Sequence, residues 1–378
     1  MNTISSASYL QPLLFAPDDV SSCFFSRPTE RELGFMSYWN TLVTMAPYEV
    51  TRDRKPPNGR PGHPLSSILA VWAVKEFFSL KTITSTMELI RSSTTIRTIC
   101  SLDVVPSAAS VSRRTAELEE AMDIDGMHAA LCSAFYGNRL VCNLSIDSTI
   151  IGCREKPVVK ERRKPTGRRG PKKKGSEEAK SIAEAERRTT ELHELEENGD
   201  IQEYIGTLCS KCSLTGKRNS KGHMQWSIGY KAHLAVDDFG IPVASVVTGA
   251  CVHDSKVAIP LVRIADSRCT FLYALMDGGY SDKRIAGFIS SMEKVPVIDF
   301  KAARNGMKPE MDAAKKTRYR ARTTVERTNS ELKANFLPHE LYSRGKRAIF
   351  EIKLAVLLTT IRKMAAVLKA EGCIPQAA

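Results

Sequence analysis

Four residues in the stretch YRARTTVERTNSELK have types and spacing suited to handling a polyanion: Tyr319, Arg322, Glu326 and Lys333. The stretch holds no Gly or Pro and reads as helix. At about 100° per residue the four fall within roughly 60° of one another. Ala321, Val325, Leu332 and Phe336 form an apolar stripe beside them, so one face is buried and a carboxylate, two cations and a phenol line its edge. Taken alone, the helix also fits a solvated face with i,i+4 ion pairs. Two aspartates shift that balance. Asp147 stands mid-strand in NLSIDSTI, on a polar face with Asn143, Ser145 and Thr149, where propensity disfavours an acid. Asp277 ends the apolar run CTFLYALMDGGY, the pattern of a buried central strand, and Gly278 and Gly279 after it allow close backbone approach.

Three carboxylates gathered in one place repel each other and rise in pKa unless a cation lies between them. Hard divalent ions relieve that repulsion. Two such ions about 4 Å apart can activate an attacking oxygen and stabilise a leaving one in phosphoryl transfer. Composition agrees with a polyanionic substrate: formal net charge is +13 and pI is near 9.3. Ten cysteines without regular spacing read as reduced thiols rather than a disulfide framework. Cys209 and Cys212 form a single CxxC flanked by His193 and His223, a weak zinc signal with no second ligand pair at finger spacing. The N-terminus shows no signal-peptide pattern, and the apolar runs are broken by charges, so no membrane span is expected and the cytoplasm is the default location.

The elements that would carry these residues follow in order. Residues 1–138 read as a helical N-terminal domain, with the link KPPNGRPGHP ahead of LSSILAVWAVKEFF, TITSTMELIRSS and helices over 108–135. Ser107 is the expected N-cap of a helix bearing Arg113 and Arg114, a candidate for docking in a DNA major groove. Residues 139–153 and 222–378 read as an α/β domain. In it MQWSIGYKAHLAVDD and IPVASVVTGA form an antiparallel hairpin with one buried face, and Lys231 and His233 on the polar face are candidates for the rim of a cleft. Asp254 reads as the N-cap of the next helix, and residues 344–370 as an amphipathic helix packing on the sheet. Between the halves, residues 154–175 carry eleven Lys/Arg against two Glu, and residues 177–197 eight Glu against three basic residues. The first block is suited to phosphates, and the second to neutralising it when DNA is absent. The whole insertion spans 154–221.

Taken together, these motifs resemble the DDE transposases of bacterial insertion sequences, of the type with a Tyr-Arg-Glu-Lys signature. The signature spacing is met at Tyr319, Arg322, Glu326 and Lys333. IDST stands at Asp147, GYKAHLAVDDFGIP and HDS lie within 229–255, and MDGGYSD surrounds Asp277. The resemblance covers roughly 140–370. It implies an α/β fold with an RNase H-like mixed sheet flanked by helices, preceded here by the all-α domain and carrying the charged helical insertion. It implies that Asp147, Asp277 and Glu326 are catalytic and hold two Mg²⁺ ions, with Mn²⁺ able to substitute. Water would cleave the phosphodiester at a transposon end, and the freed 3′-OH would attack target DNA. Arg322 and Lys333 would contact phosphates, and Tyr319 would stack on a base or position the backbone. The partners implied are double-stranded DNA, as terminal inverted repeats and target, and a second copy of the chain in the DNA complex. An RNase H-like nuclease without strand transfer and an inactive transposon-derived DNA-binding protein are the alternatives.

Overall fold

The structure is a computed structural model that describes residues 28–45, 62–158, 177–218, 222–302, 306–307 and 309–372. Most of the link at 55–64 and the basic run at 159–175 lie outside the described residues. Among those described, six helices come first: α1 (Glu30–Met45), α2 (Leu65–Phe77), α3 (Ile83–Ser92), α4 (Thr94–Ile99), α5 (Ala108–Ala121) and α6 (Ile124–Tyr136). Thr82, Ser93, Ser107 and Asp123 each cap the following helix through a side-chain oxygen that accepts a backbone N–H three residues on, so four starts are specified locally. Trp72 in α2 donates through Nε1 to Thr115 Oγ1 of α5 at 2.9 Å, satisfying a polar atom the core would otherwise strand.

Seven strands of the described residues make one mixed sheet: β1 (Leu140–Cys153), β2 (Ser213–Arg218), β3 (Met224–Val236), β4 (Pro242–Gly249), β5 (Thr270–Met276), β6 (Val295–Ile298) and β7 (Glu340–Leu341). β3 runs antiparallel to β1, β2 and β4, whereas β5 and β7 run parallel to β1, and β6 to β5. The remaining helices are α7 (Glu177–Asn198), α8 (Ile201–Thr207), α9 (Ser255–Asp266), α10 (Lys283–Ser291), α11 (Ala313–Tyr319), α12 (Thr323–Asn335) and α13 (Lys346–Ala370). Neighbouring residues on a strand face opposite ways. Asp147 meets Asn329 of α12 while Ser148 meets Asp254 at the start of α9, so the sheet is sandwiched between these two helices. This is the RNase H-like arrangement of a mixed sheet flanked by helices, with a helical region before it. Among the described residues no helix is long and apolar enough to cross a membrane.

Three elements depart from the sequence reading. The stretch Tyr319–Lys333 is two helices, α11 and α12, joined by a 3₁₀ turn at Arg320–Arg322. There Thr323 Oγ1 donates to the Arg320 carbonyl at 3.1 Å, a local competitor for the helical ladder. In β3, Tyr230–Val236 is buried on both faces, because β1 and β4 flank it and helices cover it above and below, while Met224, Trp226 and Ile228 are exposed. That outer half pairs with β2, which comes from the insertion, and forms a ribbon beyond the helical layers. Gly229 marks the transition: a Cβ there would collide with the Ile151 carbonyl of β1. Finally, α13 packs on β4 as expected but also against α1, α5 and α6, so it is buried nearly all round and the N-terminal helices share a continuous core with the sheet.

The acidic end of the insertion is docked rather than solvated. Arg284 of α10 reaches Glu196 at 2.6 Å and Glu197 at 2.8 Å, and Arg263 of α9 donates to the Glu196 and Gly199 carbonyls.

Candidate active site

The register of two parallel strands places the aspartates. Ile146 of β1 pairs with Met276 of β5, so the next residue on each strand, Asp147 and Asp277, stand side by side where β5 ends. Parallel neighbours are about 4.8 Å apart at the backbone. Gly279 N–H donates to Asp277 Oδ1 at 2.8 Å and closes the turn. A Cβ on Gly279 would lie 2.8 Å from Asp277 Oδ1 and 3.6 Å from Asp254 Oδ2, so glycine keeps open a space that two carboxylates border.

Asp254 is the residue the sequence misplaced. Its side chain makes no cap hydrogen bond and its backbone is already helical. It accepts instead from Ser148 Oγ at 2.8 Å and Lys231 Nζ at 2.9 Å. Burial raises its pKa, but Lys231, His233 and Ser148 together hold its carboxyl below the ordinary range. Asp147 goes the other way, pushed up to about 6 by burial, with Asp277 and Asp254 adding to the rise and Arg322 opposing it.

Glu326 joins through Arg322. The two form an i,i+4 ion pair in which Glu326 is half exposed, and the Arg322 charge is stabilised by Glu326, Asp147 and Asp277 together. One turn along the same face, Asn329 donates to Asp147 Oδ2 at 3.3 Å, which sets the Glu326 face of α12 against the aspartates. Beneath them the Tyr280 hydroxyl is fully buried and has no hydrogen-bond partner among the described residues, in the field of Asp254, Asp147 and Asp277. A partly buried aspartate pushed toward its protonated form near two further carboxylates, an unpaired buried hydroxyl and a glycine-kept space suit a hard cation, although the acid oxygens do not all converge within 4.8 Å of one another.

A family model described as the transposase DDE domain matches residues 143–361, more than half of the chain. The chain belongs to the DDE transposase family. Comparisons with curated proteins and with solved structures returned no match.

The other expected site residues of this transposase divide by surroundings. His233 is not at a cleft rim: it is fully buried, bonded to Thr248 Oγ1 at 2.9 Å, and burial lowers its pKa to about 3, so it is neutral. Lys231 is likewise buried and committed to Asp254 and the Val252 carbonyl. Both lie on the polar face that alternation assigned, but α9 covers that face. Lys333 is exposed, yet desolvation by the surrounding protein, then Lys217 of β2, hold its ammonium below the usual value while Asp147 opposes them. The insertion's return strand therefore stands beside the acids, with Trp226 64% exposed on the same ribbon. The Tyr319 ring lies against the Arg322 guanidinium, 5.7 Å from ring centre. In the N-terminal helices, Arg113 is exposed with its guanidinium 3.5 Å from Ser110 Oγ, whereas Arg114 is occupied by the His63 carbonyl and Glu117. The side of α5 that carries Ser112 and Glu119 is held by Arg347 of α13. Cys209 and Cys212 do not act as a pair: Cys209 Sγ turns to the Lys211 carbonyl and Cys212 Sγ to the Glu155 carbonyl.

Asp254, Asn329 and Tyr280 are the site residues that sequence reasoning missed. The signal available for Asp254 was a lysine placed at an alternating position of a strand otherwise buried, since such a cation needs an acid from another element.

Proposed function

We propose that this chain is the transposase of a bacterial insertion sequence, cleaving DNA strands at terminal inverted repeats and joining the freed 3′ ends to target DNA. The observation that carries the reading is the side-by-side pair Asp147 and Asp277 with Arg322 and Glu326 against it. Asp147, Asp277 and Glu326 would hold two Mg²⁺ or Mn²⁺ ions, which when bound activate the attacking oxygen and stabilise the leaving one. Asn329 holds one oxygen of Asp147 in place, and Asp254 stays ionised on Lys231, adding negative charge at the edge of the site. Arg322 has two uses. It neutralises Glu326 in the free protein, and when Glu326 turns to the ions it is released to a DNA phosphate as a charge-assisted donor. Lys333 and Lys217 continue that cationic track away from the acids, and Arg113 offers a separate phosphate contact on the helical region. The reaction takes place in the cytoplasm on double-stranded DNA, with at least two copies of the chain to pair two ends.

Incubating the protein with Mn²⁺, labelled inverted-repeat DNA and a target plasmid tests the reading. Cleaved ends together with joined product are expected. Hydrolysis without joining would leave the nuclease reading, and binding without cleavage the inactive one.

A further inference from the structure

Six residues beyond Asp147, about 20 Å along β1, the chain assembles a second group of ligand-type side chains that the acids do not use. Cys153 ends β1, Glu155 follows it, and Cys212 immediately precedes β2. Their two sulfurs and a Glu155 carboxylate oxygen all lie within 4.8 Å of one another. Both cysteines are buried. The carboxylate is held in place from outside: Glu155 Oε2 accepts from Tyr230 Oη at 2.7 Å and from Gly345 N–H at 2.8 Å. Three separate segments thus meet at one point, namely the end of β1, the return of the insertion and the loop before α13.

We propose that Cys153, Cys212 and Glu155 form a zinc site, with water as the fourth ligand. Two thiolates in the set select a soft or borderline ion over Mg²⁺, which distinguishes this site from the all-oxygen acids. Tyr230 orients the carboxylate from behind, as hydrogen-bonded partners of metal ligands do. Binding releases the two thiol protons that now go to the Ser343 and Glu155 carbonyls. The ion pins the start of β2 to the end of β1, and so fixes the ribbon that carries Lys217 and Trp226 beside Lys333. Cys209 has no part in it, although the sequence spacing pairs it with Cys212.

The test is a Co²⁺ titration of the reduced full-length protein after chelation. One equivalent should produce the strong near-ultraviolet absorption of thiolate-to-cobalt charge transfer. It should vanish in Cys153→Ser and in Cys212→Ser, and persist in Cys209→Ser, Cys251→Ser and Asp277→Asn. Zn²⁺ should abolish the band and excess Mg²⁺ should not. Tyr230→Phe should weaken Zn²⁺ binding roughly 10-fold or more. Should the cysteine variants fail to fold, alkylation of the wild type mapped by mass spectrometry decides: Zn²⁺ should slow modification of Cys153 and Cys212 at least about 10-fold relative to Cys251. No charge-transfer band in folded wild type, a band that survives Cys212→Ser or requires Cys209, or a Cys153–Cys212 disulfide under reducing conditions would each overturn the assignment.

Discussion

Two clusters of charge in this molecule both set carboxyls against basic side chains and do opposite things. Lys75 and Glu76 of α2 and Glu351 of α13 are 0–2% exposed, with Lys75 bonded to both acids. Burial works against the Lys75 charge, but the two glutamates outweigh it and raise its pKa. Burial likewise raises Glu76 far above the carboxylate range, against the pull of Lys75 and with help from Glu351. The three side chains form a closed network in which Lys75 bridges two buried carboxyls and burial disfavours the charge on Glu76. At the active site, acids outnumber the cations beside them, and Glu326 is half exposed. Closed compensation joins two layers of a fold; an open excess of negative charge is a place for an ion. The difference lies in what surrounds the acids, not in which acids they are.

The sharpest way to break that contrast is to remove one acid from the open cluster. Asp277→Asn keeps the shape and the Gly279 turn but removes a charge. Strand cleavage should fall on the order of 10³-fold or more, about 4 kcal/mol of transition-state stabilisation. Gel-shift affinity for inverted-repeat DNA should stay nearly unchanged. Retained cleavage with weakened binding would sink the site assignment.

The closed cluster should answer in stability instead. Lys75→Met strands Glu351 without its cation, and unfolding in urea should show a loss of roughly 3–5 kcal/mol. Converting all three positions to apolar residues of similar size should recover most of it, because a buried ion pair gives little net stability over good packing. If Lys75→Met were neutral, the cluster would not be the closed network described.

How much of this contrast could be read in the sequence depends on the distance over which each residue acts. Asp147, Asp277 and Glu326 stand out in the sequence because each breaks a local rule or sits in a spaced motif, and the register of β1 and β5 then sets the two aspartates side by side. The strands β1, β3, β4 and β5 were legible in chain order, since their apolar runs alternate with turns, whereas β2 and β7 were not. Lys75 and Glu76 were not: their partner Glu351 is 276 positions from Lys75, and no helical period reports a contact between helices so far apart in sequence. Asp254 was misread for a related reason. An Asp before a helix is usually a cap, and only the assembled sheet shows that Lys231 has first claim on it. Alternation put Lys231 and His233 on one face correctly, but it could not say that α9 covers that face. The outer half of β3 failed in the opposite sense, because the pattern continues unchanged past the point where the covering layers stop.

A pH experiment sharpens the comparison from the open side. Burial holds the folded Asp147 carboxyl at about 6, above its ordinary 3.8. Below pH 3.8 both folded and unfolded forms are protonated and no stability is forfeited. Between 3.8 and 6 the folded chain keeps a proton that the unfolded chain has released, so stability falls as pH rises. Above 6 the deficit is constant, at most about 3 kcal/mol. In EDTA, Asp147→Asn should therefore be more stable than wild type at about pH 7.5 and no more stable at about pH 4. Mg²⁺ should close the gap at the higher pH by stabilising the wild type alone. An equal effect at both pH values would mean the carboxylate is not strained by its site.

The smallest expected effect separates cations by what already holds them. Lys333 stands next to Lys217 with its charge unfavoured by desolvation, so a phosphate would relieve both. Arg114 is already committed to the His63 carbonyl and Glu117. Removing one cation that pairs with a phosphate should lower the slope of log affinity against log salt by roughly 1. Lys333→Gln is expected to show that drop with inverted-repeat DNA, and Arg114→Gln to leave the slope where it was. Equal slopes for Lys333→Gln and wild type would remove Lys333 from the DNA track. A fall with Arg114→Gln would instead make the arginine-bearing helix α5 part of the DNA-binding surface, its internal bonds notwithstanding.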